Sequence, residues 1–119
     1  MSQLLKVQQS ERVLLTTVDR VEGLPAMQCF GAVTGQGILG ANFVKDFIAH
    51  MHDTLGGSVS EYEEVMDDAM TRALQSMARK AKEYGANAVV GIRMQTGVYG
   101  ERGMLFASCI GTAVKVDMD

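Results

Sequence analysis

The sequence is poor in the features that mark several large classes of protein. Its 119 residues carry a net charge of −3 and no window rich in lysine or arginine, which argues against binding to nucleic acid. No apolar run approaches the roughly 20 residues that span a bilayer, and the segment MSQLLKVQQSER is too polar for a signal peptide. Two cysteines beside nine methionines favour a reducing compartment over a disulfide scaffold. We therefore expect a cytoplasmic protein that binds neither nucleic acid nor membrane.

Motifs for catalysis and for strong metal binding are also missing. The sequence contains no CxxC or HExxH pattern. It has no nucleophile elbow and no paired carboxylates in a recognisable setting. We therefore expect a protein without enzymatic activity.

What the sequence does contain is a regular order of strands and helices in a single domain, residues 1–119. Residues 1–12 form a polar N-terminal extension, and the β-branched run 13–18 predicts a first strand. The elements that follow are a strand over 26–34, a helix over 42–55, a helix over 60–84, a strand over 88–95 and a strand over 104–116. The order β-β-α-α-β-β predicts an α+β fold with both helices packed on one face of a sheet.

The second helix has the clearest signals. Ser60 and Glu63 form a capping box at its start, and a glycine follows its end. Met66, Met70 and Met77 recur at helical spacing, which is more typical of adaptable core packing than of soft-metal binding.

The last predicted strand is apolar on both faces. Large side chains such as Phe106 and Ile110 point one way, and small ones such as Ala107 and Cys109 point the other. Helices on one side of a sheet leave its other side in water, where polar residues are expected. We therefore expect a second copy of the chain to cover that side in a homo-oligomer.

The glycines Gly35, Gly37 and Gly40 match the spelling GxGxxG between a predicted strand and a predicted helix. A dinucleotide site needs a βαβ unit of about 30 residues, but the next strand starts only near Asn87, after two helices. We interpret the glycines as permitting unusual backbone angles and close packing. An alternative is a small-molecule or anion carrier, with Gly35, Gly37, Gly40 and Asn42 at the N-terminus of the first helix binding the ligand.

A weaker pattern could bind a divalent metal ion. Asp46, His50 and Asp53 fall on one polar face of the first predicted helix, although the same pattern is common on solvated surfaces. Cys29 and Cys109 lie centrally in strands and are expected to pack as small apolar residues. They could supply two thiolates only if their strands are neighbours and both side chains share a face.

Several sequence blocks together resemble the YbjQ family of small bacterial proteins. The blocks are GAVTGQGILGANFVKDF, DTLGG, SEYEE, GANAVVGI and GTAVK. The resemblance runs from Met27 to Lys115 and implies a dodecin-like subunit that assembles into a ring, typically a pentamer. Members of this family have been labelled heavy-metal-binding proteins, so the resemblance implies metal binding. It implies no settled catalytic activity. Neither cysteine falls within the blocks. The leading hypothesis is a non-enzymatic homo-oligomer that binds metal ions; a third alternative is a protein assembly module.

Overall fold

A computed structural model describes residues 3–40, 44, 60–99 and 103–117. In chain order the elements are α1 (Gln3–Glu11), β1 (Leu14–Leu15), β2 (Ala26–Leu39), α2 (Ser60–Glu83), β3 (Ala88–Tyr99) and β4 (Met104–Val116). They form one four-stranded sheet in the order β1-β3-β4-β2, with β1 parallel to β3 and the other pairs antiparallel. The α+β prediction is confirmed. The helix expected over 42–55 lies outside the described residues apart from Val44, which is helical and buried.

α2 matches its prediction and covers one face of the sheet. Its apolar stripe packs on β2 and β4 and buries Ala69, Ala73 and Met77 completely. Met66 and Met70 are half-buried against the same core, so the prediction that the methionines pack in the core is confirmed. Neither described helix is both long enough and apolar enough to cross a membrane.

The polar N-terminal extension contains a helix that the sequence did not predict, α1, which packs against α2. Val7 is 1% exposed within the core. The side-chain carbonyl of Gln8 accepts a 2.7 Å hydrogen bond from the N–H of Leu15, and Glu11 pairs with Arg79 at 3.2 Å. Sequence reasoning missed this helix because tertiary contacts, more than its own apolar pattern, hold it in place.

The first predicted strand is shorter than expected. Only Leu14–Leu15 forms a regular ladder with β3, and just beyond it the pairing of β3 with β4 shifts register between Val90 and Arg93. Gly91 adopts a φ of +63° within this irregularity, which favours glycine. Its N–H donates to the carbonyl of Val18, so the chain after β1 still follows β3 without forming a regular strand. β3 itself continues beyond the predicted end at residue 95 to Tyr99.

β2 is longer than predicted and includes most of the glycine motif. The strand was expected to end at Thr34 but continues to Leu39, paired throughout with β4. Side chains alternate strictly in this part: Val33 and Leu39 are buried, whereas Thr34 and Ile38 are exposed. Cross-strand pairing and packing under α2 override the weak strand preference of glycine.

Candidate functional site

Two glycines of the motif lie directly beneath α2. A side chain on Gly35 would collide with the carbonyl oxygen of Ala73 and place its Cβ 2.8 Å from the Cβ of Met77. One on Gly37 would collide with the carbonyl oxygen of Ala69. Because these two glycines have no side chain, the backbone of α2 packs directly against β2. The part of the interpretation that invoked close packing is therefore correct.

The expectation of a loop between a strand and a helix at this motif is wrong. Gly35 and Gly37 are strand residues, opposite Cys109 and Ala107 on β4. Neither has a positive φ, so unusual backbone angles do not explain them. The ligand-binding prediction for Gly35, Gly37, Gly40 and Asn42 stays a prediction, and Asn42 lies outside the described residues.

The predicted metal ligands Asp46, His50 and Asp53 also lie outside the described residues. The metal site therefore stays a prediction. Within residues 3–40, 44, 60–99 and 103–117, no three His, Cys, Asp or Glu side chains come together in a group that could hold a metal ion.

Cys109 is a core residue at the contact between β4, β2 and α2. Its Sγ lies 3.6 Å from the carbonyl oxygen of Gly35, 3.5 Å from that of Ala73 and 3.9 Å from Sδ of Met77. Burial raises the pKa of the thiol, although the charge of Lys80 partly offsets this. The protonated thiol packs as a small apolar side chain, as predicted.

Cys29 does not follow its prediction, because it is exposed. Register shifts on either side of it, between Ala26 and Gln28 and between Cys29 and Gly31, disturb the alternation of β2. Its partner on β4 is Val114, five residues from Cys109. That spacing corresponds to about 17 Å along a strand. The two thiols therefore cannot ligate one metal ion within a chain.

A groove of about 480 Å³ lies between α2 and the edge of β2 that faces away from β4. We call it the α2–β2 groove; its lining includes Gly37 and Ile38 from the strand and Arg72, Ser76, Arg79 and Lys80 from the helix. Arg72, Ser76 and Arg79 recur every three to four positions and so form one stripe, with Lys80 beside it. Arg72 bonds Asp68 at 3.1 Å and Arg79 bonds Glu11. The lining itself contains cations and no acid.

The face of the sheet away from α2, here called the outer face, remains uncovered by the described residues. Ile38 on β2 is 58% exposed and Ile110 on β4 is 50% exposed. Phe106 of β4 is opposite Ile38 and lies against Gly97 of β3, where an added Cβ would approach the ring to 2.7 Å. Polar residues Gln36, Ser108 and Gln95 form a row across the same face. The outer face is therefore mixed, with apolar residues on either side of a polar row.

Both margins of the sheet include strand edges that have no partner among the described residues. β2 pairs only with β4, so its other edge is open along the strand. β3 pairs with β1 only at Ala88 and Val89, and the following chain adds bonds only as far as Ile92. The β3 edge is consequently open from Met94 to Tyr99 in the described structure.

Sequence reasoning missed the α2–β2 groove and the open edges. The full length of β2 would have predicted the open edge, but the glycines were interpreted as a loop and the strand was therefore expected to end at Thr34. The signal for the groove was the regular spacing of Arg72, Ser76 and Arg79 along the second helix.

Comparisons with known proteins agree with the resemblance noted in the sequence. A family model, YbjQ, described as "Putative heavy-metal-binding", matches residues 13–117. A UPF0145 protein of Carboxydothermus hydrogenoformans is 37% identical over 88% of this chain and 97% of its own length. Another, from Anoxybacillus flavithermus, is 38% identical over 87% and 98%.

Among solved structures, the chain is similar to a protein of unknown function from Pediococcus pentosaceus that belongs to the DUF74 family. The two sequences are 19% identical and the TM-score is 0.45. The alignment covers 88% of this chain and 98% of the other.

Proposed function

The chain belongs to the YbjQ family, and we propose that it works as a non-enzymatic, self-assembling protein whose copies join through their sheets. The proposal assigns no catalytic step to the chain. It takes the pentameric ring implied by the family resemblance as the expected form of the assembly.

The observation that carries the proposal is the open edge of β2. Fourteen residues of strand, Ala26–Leu39, present unpaired backbone groups on one side within the described structure. Long open edges favour association with another strand, and soluble proteins usually shorten, cover or charge them. Exposed Ile38 and Ile110 add apolar surface to the adjoining outer face. Both features are disadvantages in a free monomer and become interface in an oligomer.

Light scattering coupled to size exclusion tests self-assembly. At micromolar concentration we expect a mass several times that of the 12.9 kDa chain. Ile38→Asp should lower that mass, because it places a charge where an apolar contact is expected, whereas Lys82→Asp on the exposed end of α2 should leave it unchanged. A monomeric mass for the unmodified protein would remove the proposal.

A second candidate function is the binding of a divalent metal ion by Asp46, His50 and Asp53. It is favoured by the description of the family that matches residues 13–117. A carboxylate–imidazole set is chemically suited to zinc, nickel or copper. Calorimetric titration of the protein with each metal should give a dissociation constant below millimolar that is lost in His50→Ala. Equal binding by His50→Ala would exclude this set of ligands.

A further inference from the structure

We propose that copies of the chain join head to tail, with the open edge of β2 in one copy pairing with the open edge of β3 in the next. The inference rests on the proposed self-assembly and adds which surfaces meet. It also places Val98 of one copy beside Leu39 of its neighbour, at the Arg72 end of the α2–β2 groove.

The directions of the strands are compatible with this arrangement. β2 and β3 are both antiparallel to β4, so they run parallel to each other at opposite margins of the sheet. A second copy placed beside the first in the same orientation therefore brings its β3 next to β2 as a parallel pair. Repetition of one such contact closes into a ring when the rotation between copies allows it.

Side chains at the two edges also match. Val98 of β3 is opposite Leu105, which is buried on the side of the sheet that α2 covers. Val98 itself is 56% exposed. Leu39 of β2 is opposite the same Leu105, so the two open edges share a row of the sheet. A neighbour in that row would bring its Val98 beside Leu39, at the end of the groove where Arg72 lies against Gly37.

The aliphatic part of Arg72 can cover an apolar side chain there while its charged end remains in water. The open segment of β3, Met94 to Tyr99, contains no charged residue. It therefore enters the cationic groove without repulsion.

Charge argues against the symmetric alternative, in which β2 pairs with β2 of another copy. That arrangement would bring two α2–β2 grooves together and set Lys80 of one copy, beside the ion-paired Arg72 and Arg79, against the same cations of the other. Like charges across an interface are unfavourable. The ammonium group of Lys80 forms no ion pair with any other described residue, so its charge is not offset locally. Head-to-tail pairing avoids this repulsion.

Cross-linking tests the pairing in a Cys29→Ser background, using the exposed outer-face positions Gln36 and Gln95. Within one chain these residues are two strand spacings apart, about 10 Å, so an internal link adds no mass. With a short bismaleimide, the double variant Gln36→Cys/Gln95→Cys should give a ladder of covalent oligomers on a denaturing gel. A mixture of the two single variants should stop at dimers, and each single variant alone should stay monomeric.

Efficient dimers from Gln36→Cys alone would overturn the inference in favour of symmetric pairing. A scattering mass above monomer without any ladder would also overturn it, yet would leave self-assembly intact. A monomeric mass would remove both proposals.

A mixing experiment tests the same arrangement without engineered thiols. Ile38→Asp damages the β2 edge and leaves β3 intact, whereas Val98→Asp does the reverse. Each variant alone should lose the assembly, and an equimolar mixture should form a dimer, because one intact interface remains between the two. Circular dichroism of each variant checks that it is folded. Folded variants that stay monomeric when mixed would contradict head-to-tail pairing.

Discussion

The two faces of β4 differ in the size of their side chains, and the difference follows from what covers each face. Toward α2 the strand presents Ala107, Cys109 and Ala113, all buried. Away from α2 it presents Phe106 and Ile110, which remain partly or half exposed. Small residues lie where the helix backbone approaches closely, whereas Phe106 and Ile110 lie where no described helix covers the sheet; Leu105, near the start of the strand, is the large side chain of the covered face.

β2 repeats this contrast in a stronger form. Its helix side carries Gly35 and Gly37 at the closest approach of α2, whereas Ile38 points to the outer face. The covered face is therefore adapted to a neighbour within the chain. The outer face carries exposed Ile38 and Ile110 without such a neighbour, and in our account it is adapted to other copies of the chain.

The largest loss of folding stability is expected from truncating a large side chain on the covered face. Leu105 is 1% exposed, and Leu105→Ala should lower the free energy of unfolding by about 3 kcal/mol, because it leaves a cavity. Urea titration followed by circular dichroism measures this loss. Ile110→Ala is the matched change on the outer face and should instead reduce the mass of the assembly on dilution. A loss of stability in Ile110→Ala as large as that in Leu105→Ala, at concentrations where both are monomeric, would contradict the contrast between faces.

Adding one methyl group beneath α2 should lower the free energy of unfolding by less than truncating Leu105 to alanine does. Gly35→Ala should lower the free energy of unfolding by about 2 kcal/mol, because backbone atoms of Ala73 and Met77 must move. Ala32→Ser adds one atom at an exposed position of the same strand and should change stability by less than about 0.5 kcal/mol. Equal unfolding midpoints for the two variants in urea would show that α2 does not rest on Gly35.

The stability of the protein at alkaline pH should depend on the buried thiol of Cys109 on the covered face. Burial raises the pKa of Cys109 above the ordinary value of 9.0, so the unfolded chain loses this proton first as pH rises. The stabilisation is complete below about pH 9 and is lost as pH rises through the folded pKa, by at most about 1.4 kcal/mol per unit. Urea titrations at several pH values should give a steeper decline for the unmodified protein than for Cys109→Ser. Parallel declines would mean that the thiol titrates normally in the folded state.

The smallest effect is expected at the periphery of the covered side, where α1 joins α2. Arg79 pairs with Glu11 at 3.2 Å, but its side chain is 64% exposed. Arg79→Gln should therefore lower the free energy of unfolding by about 0.5 kcal/mol at low salt. In 1 M salt, which screens the ion pair, this difference should disappear. A double-mutant cycle with Glu11→Gln isolates the pair. A coupling energy that persists in high salt would indicate a contact other than the ion pair.

The sequence predicted those parts of the fold in which local pattern and tertiary packing agree. The capping box and apolar stripe of α2 and the two-faced alternation of β4 are such parts. It failed where packing decides: glycines that favour a loop in isolation became strand under α2, and the polar segment 3–11 became a helix docked through Val7. The bulges beside Cys29 reversed its exposure, and no local pattern indicates them.

The candidate site was predictable to a lesser degree. The expectation of an uncovered apolar face arose from β4 alone, through residues such as Ile110. The open edges required the full length of β2, and the α2–β2 groove required the position of α2 above Gly35 and Gly37. Both are consequences of a helix–strand contact that joins segments distant in the sequence.

The mass of the intact protein under native electrospray conditions tests the central claim most directly. It reports the number of copies together with any retained metal or ligand. We predict an assembly whose mass is a multiple of the 12.9 kDa chain, with five copies expected from the family resemblance. A spectrum that contains only the single chain at micromolar concentration would contradict the account.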